Sequence, residues 1–489
     1  MCKIRTLSHD YRLFRKYRKG MFMPVVGFGD DFEANGYEQG KCCFFPKKMI
    51  FVKLLSETFE DQPDNDWIED EINANFPDIL GVNETHFQKM CEKYPDHIFN
   101  FNDSMPTKGG INITDDCQLR CTYCSYCSGE GSRAVVSEES IKAFVDMLIK
   151  NITKKKAITK EDSVLEILIA GGGEPTFKWS RFVYAVEYIK AVAQKHGINY
   201  DLNITTNGCL SEEQAEYIAN NFKSVLISFD GTPSIQNKNR PYASGESSFE
   251  IVNKTIKYFD SIDFNYRLRS VVWYEDYYYK VNDMADFIFE NYKNIKGWDV
   301  RPVMAWGRAT NKDNIERIRH IAGFTDVYHL LLRHVKNPEL VSLISSNIAP
   351  VRTFEMFCGA LYGSHPWLLT NDNIVTCMDA KEDAVLFGNI KNGVVNLNTA
   401  KEIYAEKSLD YMNECEGCFA YYFCCAGCPL KRNNKEIYEY SDNECYEIRN
   451  YWIKTLVRLW ESNVFDGWVL TPLEFNDIPD VEVYRIERG

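Results

Sequence analysis

Four cysteines lie within the short stretch "CQLRCTYCSYC", namely Cys117, Cys121, Cys124 and Cys127. The first three have CxxxCxxC spacing. Three thiolates on such a loop can bind three irons of an iron–sulfur cubane and leave the fourth iron without a protein ligand. An open metal position of this kind can accept a substrate or a cofactor. A zinc knuckle is the structural alternative, and Cys127 could then supply the usual fourth ligand. The stretch predicts a metal centre and favours iron–sulfur over zinc.

A second group of cysteines lies near the C-terminus, around "CEGCFAYYFCCAGC". A zinc ribbon would use two CxxC pairs, Cys415 with Cys418 and Cys425 with Cys428. The gap between these pairs is shorter than the usual zinc spacing, and four other cysteines would have no role. The pattern therefore favours a small domain that is stabilised by metal rather than by a large core. The cysteines outside the two pairs are Cys358, Cys377, Cys424 and Cys445.

The elements around the first cysteine loop alternate between strand and helix from about residue 111 to 306. "VLEILIAGGGEPT", "YDLNITTNG" and "SVLISFDGT" read as strands that end in turns. The helices between them include one that begins after Ser137 and one that Gly197 closes. Such alternation with apolar strands predicts a parallel sheet, either open or closed into a barrel. Ligands in these folds bind at the carboxyl ends of the strands, where the cysteine loop and the glycine turns also lie.

Composition excludes several classes of protein. The chain has 489 residues and a formal net charge of -14, so its acidic balance argues against a nucleic-acid partner. It has no apolar run of transmembrane length, and its basic first twenty residues lack the apolar region of a secretory signal. The seventeen cysteines should therefore stay reduced, as thiols do in the cytoplasm. We expect a cytoplasmic protein without a membrane partner.

The sequence divides into five segments. An N-terminal extension covers residues 1–107, and it is either a leader-peptide-binding domain or a plain extension that covers the sheet. The strand–helix array covers 108–310, a helical bridge 311–357, the second cysteine domain 358–450 and a C-terminal tail 451–489. This length fits two or three domains.

The first cysteine loop and the turns after the following strands together resemble the radical S-adenosylmethionine (SAM) family over about residues 108–306. This resemblance implies that Cys117, Cys121 and Cys124 hold a 4Fe–4S cluster and that the strands form a partial (β/α)6 TIM-like barrel. It implies a SAM molecule whose amino group meets the segment "GGEP", whose carboxylate meets a serine and an arginine, and whose adenine lies near an aromatic and an apolar residue. The implied SAM contacts are Tyr123, Gly172, Gly173, Glu174, Pro175, Thr206, Asn207, Ser228, Asp230, Arg240 and Val303.

The second cysteine group resembles the SPASM domain, which carries auxiliary clusters in radical SAM enzymes that modify peptides. The expected fold is therefore α/β, with a partial barrel, an N-terminal α+β extension and a small C-terminal iron–sulfur domain. The implied cofactors are three 4Fe–4S clusters and SAM. The implied ligands of one auxiliary cluster are Cys415, Cys418, Cys424 and Cys445, and those of the other are Cys358, Cys377 and Cys428.

Two positions depart from the patterns of related enzymes. Ser364 stands where a fully ligated auxiliary cluster would have another cysteine, so that cluster is expected to have an open iron, which Cys425, His365 or a substrate thiolate could fill. Sulfatase maturases carry an aspartate directly after the second auxiliary cysteine, whereas Met378 stands here and Asp379 follows. The candidate catalytic residues are Asp379, Cys425 and Cys127.

The resemblance implies an enzyme that forms a 5'-deoxyadenosyl radical and abstracts a hydrogen atom from a ribosomal precursor peptide. The favoured product is an oxidative intramolecular crosslink, such as a thioether. A one-electron donor such as flavodoxin or ferredoxin is the implied second partner. Peptide epimerisation, with Cys127, Cys209 or Cys425 as hydrogen donor, and sulfatase-type oxidation of a cysteine or serine stay open. So does a non-catalytic zinc-binding adaptor.

Overall fold

The structure is a computed structural model. Its description is continuous through the central part of the chain and intermittent at both ends. It covers residues 15–16, 21–24, 41–45, 49–54, 72, 74–76, 106–303, 307–310, 328, 331–332, 334–345, 365–378, 386–397, 451–452, 455, 459, 463–465, 468–474 and 481–488.

Short antiparallel strands begin the described chain. Each pairs with the next one along the sequence, which gives a meander. The strands are β1 (Arg15–Lys16), β2 (Met21–Pro24), β3 (Lys41–Phe45) and β4 (Ile50–Leu54).

Parallel strands follow, and each pairs with its predecessor. Helices lie between them, as the alternating pattern predicts. The strands are β5 (Lys108–Ile111), β6 (Leu165–Ile169), β7 (Tyr200–Thr206), β8 (Ser224–Ser228), β9 (Tyr266–Val272), β10 (Trp298–Pro302) and β11 (Ile344–Ser345). The α-helices are Glu138–Thr159, Trp179–His196, Glu212–Asn221, Pro233–Asn239, Phe249–Ser261, Tyr274–Asn291 and Pro338–Leu343, and the 3-10 helices are Pro175–Lys178 and Gly307–Thr310.

The parallel sheet continues beyond β5 into strands that come late in the chain. β12 (Trp367–Leu368) pairs with β5 in parallel, and β13 (Asn373–Val375), β14 (Leu386–Lys391) and β15 (Val394–Leu397) add to it as an antiparallel meander. Gly110 is required at this junction, since a Cβ there would stand 2.0 Å from the Trp367 ring. In the described part of the chain, β11 and β15 form the two edges of the sheet.

The two ends of the chain share the smaller sheet. β16 (Val464–Phe465), β17 (Trp468–Leu473) and β18 (Val481–Arg488) form a second meander, and β18 pairs antiparallel with β4. Phe51 and Tyr484 face each other in this ladder, and both are buried. The sequence division treats residues 1–107 and 451–489 as separate segments, whereas their strands belong to one sheet.

Local capping explains where several helices begin and end. The Ser137 side chain accepts a hydrogen bond from the Ser140 N–H at 2.9 Å, which satisfies one of the free donors of the first turn. Ser211 and Gln214 form a reciprocal capping box. Gly197 ends its helix in the left-handed conformation with φ of 62°, as the sequence predicts.

The parallel sheet has one face covered by helices and one open face. On the covered face, Gly109 lies against Phe144, and Trp298 packs against Phe289 with ring centroids 6.0 Å apart. Burial alternates along β6 and β8, so every second residue points away from these helices. We call the side opposite the helices the inner face. Its side chains are mostly polar, and they range from buried Asp299 to exposed Arg267.

The structure confirms the predicted α/β fold with a mostly parallel central sheet. Of the predicted C-terminal iron–sulfur domain, residues 358–450, the parts 358–364, 379–385 and 398–450 lie outside the described residues. No helix in the described part of the chain is long and apolar enough to span a membrane.

Candidate functional site

The cysteine loop, residues 112–130, leaves the carboxyl end of β5 and is fixed first by the turn after β6. The Gly173 N–H donates to the Thr114 carbonyl at 2.8 Å, and the Glu174 N–H donates to the Asp116 carbonyl at 2.9 Å. A Cβ on Gly173 would stand 2.1 Å from that Asp116 oxygen, so only glycine fits. The "GGGEP" turn therefore determines where the loop can lie.

A second contact comes from the segment after β8. The Arg120 N–H donates to the Pro241 carbonyl at 2.7 Å, and the Thr122 N–H donates to the Asn239 carbonyl at 2.8 Å. The Ala243 N–H returns a bond to the Gln118 carbonyl at 2.9 Å. Residues 118–122 thus pair with residues 239–243 as an irregular ribbon.

Arg308 supplies a third contact, which the sequence analysis missed. Its guanidinium donates to the carbonyls of Cys121 and Ser128, both at 2.9 Å, and its backbone N–H donates to the Cys124 carbonyl at 3.0 Å. Gly307 makes this approach possible, because a Cβ there would stand 2.2 Å from the Cys124 carbonyl oxygen. The pair "GR" after a turn was the only signal in the sequence, and it is too common to be specific.

The three predicted cluster thiols lie close enough to influence one another. Burial raises the pKa of Cys117 to about 12, with a further rise from Glu174. Burial also raises the pKa of Cys121 to about 11, although the charge of Arg240 partly opposes this rise. Thiolates at this position therefore require a compensating positive charge, which a bound iron–sulfur cluster supplies. The Leu119 N–H and the Asn207 amide already point at the Cys117 Sγ, at 3.4 and 3.7 Å.

The residues present fit a cubane cluster. Soft thiolates are the usual donor set of iron–sulfur proteins, and N–H donors directed at a ligand sulfur, as at Cys117, are typical of them. Among the described residues, no three His, Cys, Asp or Glu side chains converge tightly enough to hold a single metal ion. A cubane spreads its protein ligands over several irons, so it does not require such convergence.

Cys127 lies on the outer turn of the loop. It is half-buried, its φ is 51°, and its N–H donates to the Cys124 carbonyl at 3.4 Å. Burial raises the pKa of its thiol, an effect that Cys124 reinforces and Arg308 opposes. Its role as a fourth ligand or a catalytic thiol stays a prediction.

Glu174 connects the turns after β6 and β7. Its carboxylate accepts hydrogen bonds from the Asn207 N–H at 2.7 Å and from the Thr206 hydroxyl at 2.8 Å. Burial raises its pKa, and these hydrogen bonds partly oppose the shift. Gly172 accepts a hydrogen bond from the Ser128 hydroxyl, and Pro175 begins the 3-10 helix that follows. The structure thus brings together six of the predicted SAM contacts, namely Gly172, Gly173, Glu174, Pro175, Thr206 and Asn207.

A buried ion pair, Asp230 with Arg240, lies against Tyr123 of the cysteine loop. Asp230 is fully buried and binds the Arg240 Nη2 at 3.1 Å, and its second oxygen accepts a hydrogen bond from the Tyr123 hydroxyl. The Arg240 guanidinium lies over the Tyr123 ring, 5.2 Å from its centroid. Burial disfavours the charged form of Arg240, but Asp230, Tyr123 and Cys121 together outweigh it and raise the pKa. The Nε of Arg240 is buried without a partner in the described structure, so it retains a donor for an anionic ligand.

Some of the remaining predicted positions lie at the ends of the parallel strands and beside the cysteine loop. Ser228 ends β8 half-buried on the inner face, and Val303 is buried just after β10. Cys377 is half-buried after β13, and the carbonyl of the next residue, Met378, accepts a hydrogen bond from Tyr126 of the cysteine loop at 2.8 Å. The chain around Cys377 therefore reaches the cysteine loop. The predicted residues outside the described part are Cys358, Asp379, Cys415, Cys418, Cys424, Cys425, Cys428 and Cys445.

Comparison with known proteins agrees with this geometry. Residues 111–288 match the model of the radical SAM superfamily. A cysteine-type anaerobic sulfatase-maturating enzyme of Clostridium novyi is 23% identical over 371 residues, which are 71% of this chain and 94% of the relative. The enzyme of the same description from Clostridium perfringens is 28% identical over 160 residues, which are 32% of this chain and 41% of the relative.

Two solved structures have similar folds. One is described as native anSMEcpe with bound AdoMet, with a TM-score of 0.52, 17% identity, and coverage of 71% of this chain and 99% of that one. The other is Streptococcus suis SuiB bound to the precursor peptide SuiA, with a TM-score of 0.50, 15% identity, and coverage of 79% of this chain and 88% of that one.

Proposed function

Because residues 111–288 form a radical SAM domain, we propose that the protein is a radical SAM enzyme that oxidises a peptide substrate. One observation carries this proposal. Asn207 directs its side-chain amide to the Cys117 Sγ at 3.7 Å while its backbone N–H binds Glu174 at 2.7 Å. A cluster on the cysteines and an amino group on Glu174 would therefore be direct neighbours, as a ligand that bridges the two requires.

The chain's own groups have separate tasks in this scheme. Cys117, Cys121 and Cys124 would hold the cluster, which when bound supplies the electron that cleaves SAM to methionine and a 5'-deoxyadenosyl radical. Glu174 would bind the methionyl ammonium, and Ser228 with Arg240 the carboxylate. Tyr123 and Val303 would flank the adenine, and Thr206 would orient Glu174. Tyr123 and Val303 are both buried, so they would shield an adenine placed between them from water.

We propose an intramolecular crosslink, such as a thioether on a ribosomal precursor peptide, as the product. The support comes from sequence: Ser364 replaces a cluster cysteine, so the auxiliary cluster held by Cys358, Cys377 and Cys428 would keep an iron open for a substrate thiolate. In the overall balance, a substrate S–H and C–H give way to an S–C bond. One hydrogen atom would go to the deoxyadenosyl radical, one electron would pass to the auxiliary cluster, and the thiol proton would go to a base or to water.

Sulfatase-type oxidation of a cysteine or serine is the second candidate. The curated relatives that match this chain carry that description. Met378 argues against it, because those enzymes place an acidic base directly after the auxiliary cysteine and Met378 cannot accept a proton. Asp379, one position later, is the residue that could substitute.

Metal content and SAM cleavage test the proposal together. Protein purified without oxygen should contain about twelve irons per chain if three cubanes are present. Addition of a one-electron donor, dithionite or a flavodoxin, with SAM should yield 5'-deoxyadenosine. Stoichiometric zinc with intact SAM would overturn the proposal and leave a zinc-binding adaptor.

The product is tested with cysteine-containing peptides encoded beside the gene. A crosslink removes two hydrogens from the peptide and leaves the thiol unable to react with alkylating reagents. Formylglycine formation from cysteine would also remove two hydrogens, but it would replace the sulfur with oxygen. Epimerisation would leave the mass unchanged. Ser364→Cys should close the open iron and abolish crosslinking, whereas Ser261→Cys, on an exposed surface, should not.

A further inference from the structure

The charges of the inner face are unevenly distributed. On β5 and β6, Lys108 and Glu166 pair at 2.6 Å. Asp201 on β7 and Lys223, which directly precedes β8, also pair at 2.6 Å. These charges cancel one to one, so this half of the described inner face carries no net charge.

On β9 and β10 the balance is different. Three arginines, Arg267, Arg269 and Arg301, alternate along these strands on the same face as one acid, Asp299. The side chains of Arg269 and Arg301 are 30% and 31% exposed, and Asp299 is 8% exposed. The described side chains of these two strands thus give the inner face an excess of positive charge, in a chain whose net charge is -14.

Asp299 fixes the direction of its two neighbours. One oxygen, Oδ2, accepts from the Nε of Arg269 at 2.8 Å and from the Nε of Arg301 at 2.7 Å. The Nη groups of Arg269 make no hydrogen bond within the described structure. A guanidinium held by its Nε edge presents its two Nη groups together, which is the geometry that binds a carboxylate in a bidentate manner.

Arg267 precedes Arg269 by two residues in β9, so its side chain lies on the same inner face. Its guanidinium crosses the backbone of Gly297, where a Cβ would stand 2.7 Å from Nε. No carboxylate of the described residues pairs with it, and its side chain is exposed. The glycine therefore gives this arginine space to lie beside the sheet.

The cationic patch adjoins the candidate SAM site. Ser228 is the direct neighbour of Arg269 in the β8–β9 ladder, and Asp299 is its neighbour on the other side. Ser228 is the residue proposed to meet the SAM carboxylate. A group bound at Arg269 would accordingly lie beside SAM, at the place where a substrate must present its reactive carbon.

We propose that Arg269 and Arg267 form a carboxylate-binding subsite that holds an acidic residue of the peptide substrate next to its modified position. Asp299 acts as a positioning residue, since it orients Arg269 and Arg301 without meeting the substrate. The inference rests on the proposed function and adds a substrate class, acidic peptides, to it.

The same chemistry could bind the SAM carboxylate, so the test separates the two sources. The probe is fluorescein-labelled Gly-Glu-Gly-Glu-Gly, with the glutamine peptide of the same length as its neutral match. Binding is measured by anisotropy on the anoxic, cluster-loaded protein in the presence of SAM, and SAM binding is measured separately by equilibrium dialysis.

We expect the glutamate peptide to bind at least about tenfold more tightly than the glutamine peptide. A single hydrogen bond between charged groups is strong enough to change the binding affinity by that factor. Arg269→Gln and Arg267→Gln should each remove most of this preference. Arg181→Gln is the matched control, since Arg181 has similar exposure and pairs with a single acid, Glu138, on the helical side. It should keep the preference.

Three outcomes would overturn the subsite. The wild type could bind both peptides equally, the variants could lose affinity for both peptides equally, or the variants could lose SAM affinity and keep the preference for the glutamate peptide. Arg267→Gln keeps the test valid if Arg269→Gln disturbs the sheet, because Arg267 is exposed and pairs with no described acid. Formation of 5'-deoxyadenosine by the wild type reports the proposed function separately, so each proposal can fail without the other.

Discussion

Glu174 accepts a hydrogen bond from the backbone N–H of Asn207 at 2.7 Å, which joins the turn after β6 to the turn after β7. The other carboxylate oxygen is more crowded, since it accepts bonds from Thr206 and Thr176. The carboxylate is thus held rigidly and is 2% exposed. A buried anion with fixed orientation is suited to a cationic ligand, whose ammonium would supply the missing positive charge.

Glu174→Gln should weaken SAM binding by about tenfold or more, as expected when a charged partner is lost. Because burial raises the pKa of Glu174, SAM affinity should fall as the pH drops through this raised value, at a higher pH than for an ordinary glutamate. The variant should lose that pH dependence. Equilibrium dialysis from mildly acidic to neutral pH checks both, with exposed Glu212→Gln as the control.

The raised pKa of Glu174 has the opposite effect on the stability of the ligand-free protein. A carboxyl whose pKa is raised on folding is more easily protonated in the folded state. Its favourable contribution to the free energy of unfolding is present below its ordinary pKa and is lost as the pH rises through the raised one. In urea unfolding, the stability of Glu174→Gln should therefore fall less than that of the wild type as the pH rises. An unchanged pH profile of both stability and SAM binding would contradict the assigned role.

Gly173→Ala should prevent the cysteine loop from docking. The added Cβ would stand 2.1 Å from the Asp116 carbonyl oxygen, and two backbone hydrogen bonds hold these segments together. Backbone atoms cannot move aside cheaply, so we expect loss of bound iron and of SAM cleavage. Gly131→Ala is the matched control, because nothing lies within 4 Å of a Cβ there. Normal iron content in Gly173→Ala would refute the docking argument.

Arg308→Gln should loosen the loop around Cys121 and Cys124. The variant loses the guanidinium bonds to the carbonyls of Cys121 and Ser128 and the ion pair with Glu130 at 2.8 Å, but keeps the backbone bond to Cys124. We expect cluster iron to be lost to a chelator several times faster than from the wild type. Release is followed by iron absorbance without oxygen. Lys254→Gln, which removes an exposed ion pair with Glu212, should release iron at the wild-type rate.

The sequence predicted the central sheet because its signals are local. Apolar strands such as Leu165–Ile169, caps such as Ser137 and closing glycines such as Gly197 each act within a few residues. The contacts among Glu174, Thr206 and Asn207 followed once the strands were known to be parallel, since consecutive carboxyl ends must meet.

The sequence held no comparable signal for strands that pair across long sequence separations. β4 and β18 lie more than four hundred residues apart, and nothing in "IFVKL" or "VEVYRIER" indicates which partner each strand takes. Arg308 was missed for the same reason, since its importance comes from reaching a loop far from it in sequence. The sequence predicted Arg240 and Ser228 as joint contacts of the SAM carboxylate, but it gave no sign that Asp230 is the ion-pair partner of Arg240.

Asp230→Asn should destabilise the fold more than any exposed charge substitution. It leaves Arg240, which is 6% exposed, without its only described acidic partner, and breaking a buried ion pair typically costs about 3–5 kcal/mol. Asp201→Asn is the control, because Lys223 on the partly exposed rim can be solvated when its partner is lost. Urea midpoints of the two variants provide the comparison. Equal midpoints would mean that Arg240 finds another partner, and the proposed orientation of its guanidinium toward SAM would then fail.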